Sequence, residues 1–176
     1  MKIACVTSRA RGGTDLLLSN MAARLQTVGV RLAGIVKDES YVSGFDNGCD
    51  MKVRVLPDGP IIKITQSLGQ GSDACRLDPS AIAEAVSKVE ASEMEKADLF
   101  ILNKFGPEEA AGRGFVSAIG QALELGIPVL VGVGPAATEA FNSFADGLAI
   151  TLPDDLDAIG DWCDASLGKD RKVSET

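Results

Sequence analysis

The chain has 176 residues, 45% of them apolar, and carries a net charge of −8. That length and apolar content suit one domain with a sizeable core, and the acidic balance argues against a general nucleic-acid binder, which needs a basic face. There is no histidine, which removes the commonest general base and the commonest metal ligand, and with them Ser-His-Asp hydrolysis and His-based zinc chemistry.

The four cysteines, Cys5, Cys49, Cys75 and Cys163, lie far apart with no C-x-x-C pair, so no metal site is expected from spacing. Cys5 falls in a strand pattern and reads as a small buried apolar residue. Cys49 and Cys75 fall in loops, where a lone thiol is either reactive or inert. The apolar run at the N-terminus is too short for a secretory leader, and no stretch approaches a membrane span. The expectation is a soluble cytoplasmic protein with no membrane partner.

Residues 3–7 (IACVT) are apolar without polar alternation, as in a central strand of a parallel sheet. A glycine-bearing loop follows at residues 8–13, and then Leu17, Met21, Leu25 and Val28 recur at helical spacing, with Leu18 and Ala22 beside them. Thr14 or Asp15 is the expected N-cap, and Gly29 the stop. Residues 30–36 (VRLAGIV) read as a second strand, parallel to the first through a βαβ crossover. In residues 51–66 apolar Val53, Val55, Ile62 and Ile64 alternate with polar neighbours around Pro57-Asp58-Gly59-Pro60. This is a β-hairpin inserted into the α/β alternation.

Residues 69–76 read as a polar loop that either folds over a ligand as a lid, with Asp73, Cys75 and Arg76, or lies on the surface. Asp78-Pro79 opens the next helix as N-cap and N1, with Ile82, Val86 and Val89 as its apolar stripe. Residues 98–103 (DLFILN) and 127–133 (IPVLVGV) are further buried strands, and helices are expected after each. A short strand at 148–152 and a helix at 156–167 complete a single domain over residues 1–168. Residues 169–176 form a polar tail. The fold class is α/β, a three-layer sandwich on a mainly parallel sheet.

In such folds ligands bind at the carboxyl ends of the strands. The loop after the first strand, SRARGGTD, has the layout of the phosphate-binding G-x-x-x-x-G-K-[ST]. Ser8 stands at the first glycine, Gly13 at the second, and Thr14 and Asp15 at the Lys and Ser/Thr places. The loop is a degenerate Walker A without its lysine. Backbone N–H groups at Gly12, Gly13 and Thr14 are suited to an anion, and Arg9 and Arg11 would supply charge. Asp15 would repel a phosphate. The plainer alternative is a βα turn whose glycines serve geometry only. The loop after residues 98–103 places Asn103 where a Walker B strand ends in an Mg²⁺-linked acid. Lys104 would reach back to replace the missing lysine, or stay solvated. Glu108 and Glu109 would position water or simply favour a helix N-terminus. Arg113 would extend towards the same cleft or into solvent.

The segments GGTDLLLSNMAARLQTVGVRLAGIV, LGQGSDACRLDP and LNKFGPEEAAGRGF resemble a bacterial domain-of-unknown-function family with a P-loop-NTPase-like fold. Some of its members bear the label of molybdenum transport ATP-binding proteins. The order of elements is also similar to the archaeal-type nucleoside-triphosphatase family. The resemblance implies the fold. It maps Gly12, Gly13, Thr14, Asn103, Lys104, Gly106 and Arg113 onto family motifs, and it implies a link to molybdate handling. The sequence departs from the second family at Thr14 and Asn103.

The resulting expectation is a protein that binds a nucleotide, with or without Mg²⁺, or a tetrahedral oxyanion. The ligand residues are Ser8, Arg9, Arg11, Gly12, Gly13, Thr14, Asn103, Lys104 and Arg113. The rival is a slow Mg²⁺-dependent nucleoside-triphosphatase with Lys104 and Glu108 as its catalytic candidates. A third reading is a regulatory or scaffold protein that has lost the ligand. A homo-oligomer or protein partner would be marked by exposure of Tyr41, Phe45 or Phe105.

Overall fold

The computed structural model describes residues 1–45, 49–69 and 75–168. The expected tail at 169–176, and Asp73 of the expected lid, lie outside the described residues. The chain runs β1 (Ile3–Val6), α1 (Gly13–Thr27), β2 (Leu32–Lys37), β3 (Lys52–Val55), β4 (Ile61–Lys63), β5 (Thr65–Ser67) and β6 (Cys75–Leu77). It continues with α2 (Pro79–Glu90), β7 (Leu99–Phe105), α3 (Pro107–Ala110), α4 (Val116–Glu124), β8 (Val129–Val133), α5 (Thr138–Phe144), β9 (Ile150–Leu152) and α6 (Leu156–Ser166).

The main sheet has seven strands in the order β4-β3-β2-β7-β8-β1-β9. From β2 to β9 all pairings are parallel, and β3 and β4 add an antiparallel hairpin at one edge. The inserted hairpin is therefore the edge of the sheet. β1 and β2 are parallel as expected but not neighbours, because β7 and β8 lie between them.

The buried strands explain the layers. Along β7, Leu99 and Ile101 point into one core with Leu18, Met21 and Leu25 of α1 and Ile159 of α6. Phe100 and Leu102 point into the other with Ala85, Val89, Ile119 and Phe141 of α2, α4 and α5. Alternate residues thus feed opposite faces, and a helix layer covers each. The result is a three-layer α/β sandwich.

The differences from expectation are local. Val28 is 63% exposed, because α1 ends at Thr27 and the chain turns away at Gly29, which sits at φ 82°. On α2 the buried residues are Ala81, Ala85 and Val89, which leaves Ile82 and Val86 half-buried. Phe105 offers no interface: it is fully buried, edge-on to Phe141 with ring centroids 5.3 Å apart. Tyr41 and Phe45 are half-buried. Residues 65–67 and 75–77, which show no apolar alternation, form a separate two-stranded ribbon.

Cys49 and Cys75 are joined in a disulfide across 26 residues, which ties the segment before β3 to β6. Neither is a free reactive thiol. Cys5 and Cys163 are free and buried, and burial pushes the Cys163 thiol up to about 12, so it is inert at neutral pH.

Asp78 caps α2 as its sequence predicts, accepting from the N–H groups of Ser80 at 3.0 Å and Ala81 at 3.4 Å. Asp78→Ala is expected to cost about 1 kcal/mol. In thermal denaturation that is a fall of about 2–4 °C in Tm for a domain of this size.

Candidate functional site

The carboxyl ends of β1, β7 and β8 meet the N-terminus of α1 around a cleft of about 230 Å³. Ser8, Arg9, Arg11, Gly12, Thr14, Asp15, Asn103 and Lys104 all line it, with Gly132, Gly134 and Pro135 on the β8 side. Residues some ninety positions apart in sequence are brought together because β7 and β1 flank β8 in the sheet.

The first loop is wired to itself. The Ser8 N–H donates to Oγ1 of Thr14 at 2.9 Å, and the Ala10 N–H to Oγ of Ser8 at 3.2 Å. The Gly13 N–H goes to the Ala10 carbonyl at 2.9 Å. Gly13 is thus a closing residue of the turn and does not line the cleft. Neither Thr14 nor Asp15 caps the helix. Gly12 takes the N-cap place in the left-handed conformation, at φ 70°, which favours glycine. Thr14 is diverted because its hydroxyl oxygen is already accepting from Ser8.

Lys104 and Asn103 owe their positions to a β-bulge. Leu102 pairs with Val131 and Phe105 with Val133, so Asn103 and Lys104 together face the single residue Gly132. A bulge bends its strand and re-aims side chains. Here it leaves Asn103 buried and Lys104 exposed between buried neighbours. A Cβ built on Gly134 would lie 4.0 Å from Cε of Lys104, so the lysine stem leans towards β8 and the cleft. Gly132 has to be bare: a Cβ there would collide with the Asn103 carbonyl and press on Leu18 and Thr14. The missing side chain allows α1 to seat its first turn on β8.

Asn103 donates from Nδ2 to Oδ1 of Asp15 at 3.3 Å. This joins the helix start to the end of β7, as the Ser/Thr and acid of a P-loop protein do, with the acid on the opposite partner. There the helix brings a hydroxyl and the strand an acid; here the helix brings Asp15 and the strand a neutral amide. Among the described residues no group of three acidic or cysteine side chains could hold a metal ion. Asp15, which lines the cleft, could supply the one carboxylate by which Mg²⁺ is held beside substrate phosphates and water.

Two expected residues lie elsewhere. The Arg113 guanidinium is taken by Glu108, with N–O distances of 2.9 and 3.1 Å. That pairing lowers the Glu108 carboxyl below the usual range. Neither residue lines the cleft. Glu109, one residue on, is buried, and burial pushes its carboxyl up against the opposing pull of the N–H groups of Glu109, Gly106 and Phe115. Cys75 and Arg76, expected either in a lid or on the surface, line a hollow on the far side of β7 with Asn103, Lys104 and Glu109. The pattern of glutamates after a strand was visible in sequence; which of them faces inward was not.

Known proteins agree with this architecture. The structure of THEP1 from the hyperthermophile Aquifex aeolicus superposes with a TM-score of 0.61 at 10% identity, over 97% of this chain and 99% of that one. A human cancer-related nucleoside triphosphatase superposes at 0.54 and 16% identity, over 86% and 87% of the two chains. At these identities the likeness is one of fold, and the fold is P-loop-NTPase-like. In sequence the chain is 33% identical over 176 residues to the molybdenum import ATP-binding protein ModC 2 of Bradyrhizobium diazoefficiens; the match takes in 99% of this chain and 19% of that protein. The chain therefore spans about a fifth of the length of this relative. The family model for Protein of unknown function (DUF2478) matches residues 3–162, and the chain belongs to that family.

Proposed function

We propose that the chain binds the phosphates of a nucleotide in the cleft between the first loop and the end of β7, through a degenerate P-loop whose lysine is replaced from β7. The observation that carries this reading is the convergence of Arg9, Arg11 and Lys104 on one small cleft at the start of α1. The helix dipole favours an anion there. Arginines clamp oxyanions in a bidentate way, and a lysine acts as a point charge. At about 230 Å³ the cleft is below the ~300–1,000 Å³ of sites for whole drug-sized ligands, which suits a phosphate chain or a single oxyanion. The nucleotide-binding fold of the relatives supports the former. The name of the ModC 2 relative keeps molybdate as the second ligand to be tried.

Hydrolysis of the nucleotide by water is slow at this site. The Walker lysine and the strand acid give much of the electrostatic stabilisation of phosphoryl transfer, and Thr14 and Asn103 stand in their places. Mg²⁺, when bound with nucleotide at Asp15, would neutralise charge on the phosphates.

A thermal-shift panel tests the reading with ATP, GTP, ADP and phosphate, each with and without Mg²⁺, and with molybdate, tungstate and sulfate. A ligand at a hundred times its Kd adds about 2.7 kcal/mol, or about 5–10 °C for this size of domain. A shift with ATP or GTP is expected. A shift with molybdate or tungstate alone would move the function to oxyanion handling, and no shift with any of them would leave the fold as a scaffold.

A further inference from the structure

Across the end of β7 from the cleft lies a second hollow of about 290 Å³, between the β5–β6 ribbon and helices α2 and α3. Asn103 and Lys104 belong to the walls of both. The bulge explains this, since it presents two successive residues at one level of the sheet. Met51, Ile64, Ile82 and Phe115 give the hollow apolar walls, into which Thr65, Arg76, Glu108 and Glu109 are also set. Ile82, half-buried, packs against the core with one side and borders this space with the other. The Cys49–Cys75 disulfide forms part of the outer wall and holds the ribbon over the hollow.

The position of the hollow decides what it could hold. In a P-loop site the strand residue at the place of Asn103 serves the β/γ end of the phosphate chain. A nucleotide in the cleft would therefore turn its terminal phosphate, and not its base, towards Asn103 and the hollow beyond. Whatever sits there meets that phosphate. A water molecule has a share of about 30 Å³ in the liquid, far less than this space. A chamber with apolar walls and a few polar groups among them is the form of a site for an organic molecule.

We propose that this hollow is the acceptor site of a phosphotransferase: it takes a planar, hydroxyl-bearing molecule of the nucleoside class and points its hydroxyl at the terminal phosphate beside Asn103 and Lys104. The inference rests on the nucleotide reading of the cleft. The acceptor ring lies against Met51 and Ile82, the half-buried apolar residues of this wall, where a thioether favours contact with a flat ring. In the transfer the hydroxyl oxygen forms a bond to the terminal phosphorus of a nucleoside triphosphate. The bond from that phosphorus to the bridging oxygen breaks, and the nucleoside diphosphate leaves with the electron pair. The hydroxyl proton passes to the Glu109 carboxylate. Burial makes that carboxylate a better proton acceptor than a solvated one. Lys104, between the two chambers, holds the moving phosphoryl group.

The test uses the whole chain with γ-³²P-ATP and Mg²⁺, and adenosine, guanosine, cytidine and thymidine as acceptors, beside thermal shifts with each nucleoside and with ATP. At least one nucleoside is expected to give a shift of its own and a labelled monophosphate. Ile82→Trp, which fills the hollow, should abolish both while its ATP shift shows that it is folded. Glu109→Gln should keep the nucleoside shift and lower the labelling rate by about 100-fold or more. An ATP shift in the wild type with no labelled nucleoside overturns the acceptor site and leaves the cleft reading standing. No ATP shift at all overturns the cleft reading and the inference with it. Labelling that survives Ile82→Trp unchanged places the acceptor elsewhere and also overturns it.

Discussion

Lys104→Ala is expected to raise the Kd for ATP by about 10–100-fold with little change in stability. A hydrogen bond to a charged group is worth about 1.5–3 kcal/mol, and each 1.4 kcal/mol is tenfold in affinity. The whole of that is at stake because the loop itself has no lysine: Thr14 occupies its place and its hydroxyl oxygen is held by Ser8. The stability cost should be small, within about 0.5 kcal/mol for an exposed side chain, since Lys104 is exposed while Asn103 and Phe105 beside it are buried. The matched control is Arg113→Ala. Arg113 is a cation of the same loop region that the resemblance also maps to a motif, but its guanidinium is paired with Glu108 away from the cleft. Isothermal titration of ATP into both variants separates them. Equal affinities would remove Lys104 from the site.

That contrast shows where the sequence was informative and where it was not. The β1–α1–β2 unit, the hairpin and the strands β7 and β8 were legible because each carries its own period: continuous apolar runs for buried strands, alternation for the edge, and helical spacing for α1. The gathering of Ser8 to Thr14 with Asn103 and Lys104 followed from one rule about strand ends in α/β sheets. Four features had no local signal. The Cys49–Cys75 bond joins residues 26 apart, and spacing alone does not pair cysteines. The β5–β6 ribbon is three residues a side and too short to show a period. Phe105 looked like a loop residue because the bulge carries β7 two residues past Asn103. Arg113 and Glu108 carried the right charges for a phosphate site, and only tertiary structure reveals that they satisfy one another. The signals that failed are those that depend on which neighbour a side chain finds, not on which face of an element it occupies.

Asp15→Asn is expected to tighten ATP binding by about 10–100-fold in Mg²⁺-free buffer, and to remove most of the dependence of binding on Mg²⁺. A carboxylate about 5 Å from a phosphate charge costs about 3 kcal/mol at an effective dielectric constant of 20, and partial screening by solvent and by Arg9 and Arg11 brings this into the stated range. The substitution is nearly isosteric, and the side-chain oxygen of the new amide can still accept from Nδ2 of Asn103, so the junction between α1 and β7 should persist. Titrations of ATP into wild type and variant, with EDTA or with Mg²⁺, give four affinities. In wild type, affinity should rise with Mg²⁺, because the ion neutralises charge between Asp15 and the phosphates; in the variant the two values should nearly coincide. A variant that binds free ATP no more tightly than wild type would place the phosphates away from Asp15. The second exchange, Asn103→Asp combined with Asp15→Ser, restores the P-loop order of hydroxyl on the helix and acid on the strand. If Mg²⁺-dependent ATP binding survives in this double variant and is lost in Asp15→Ser alone, then what the cleft requires is one carboxylate at the α1–β7 junction, and this chain has moved it from the strand to the helix.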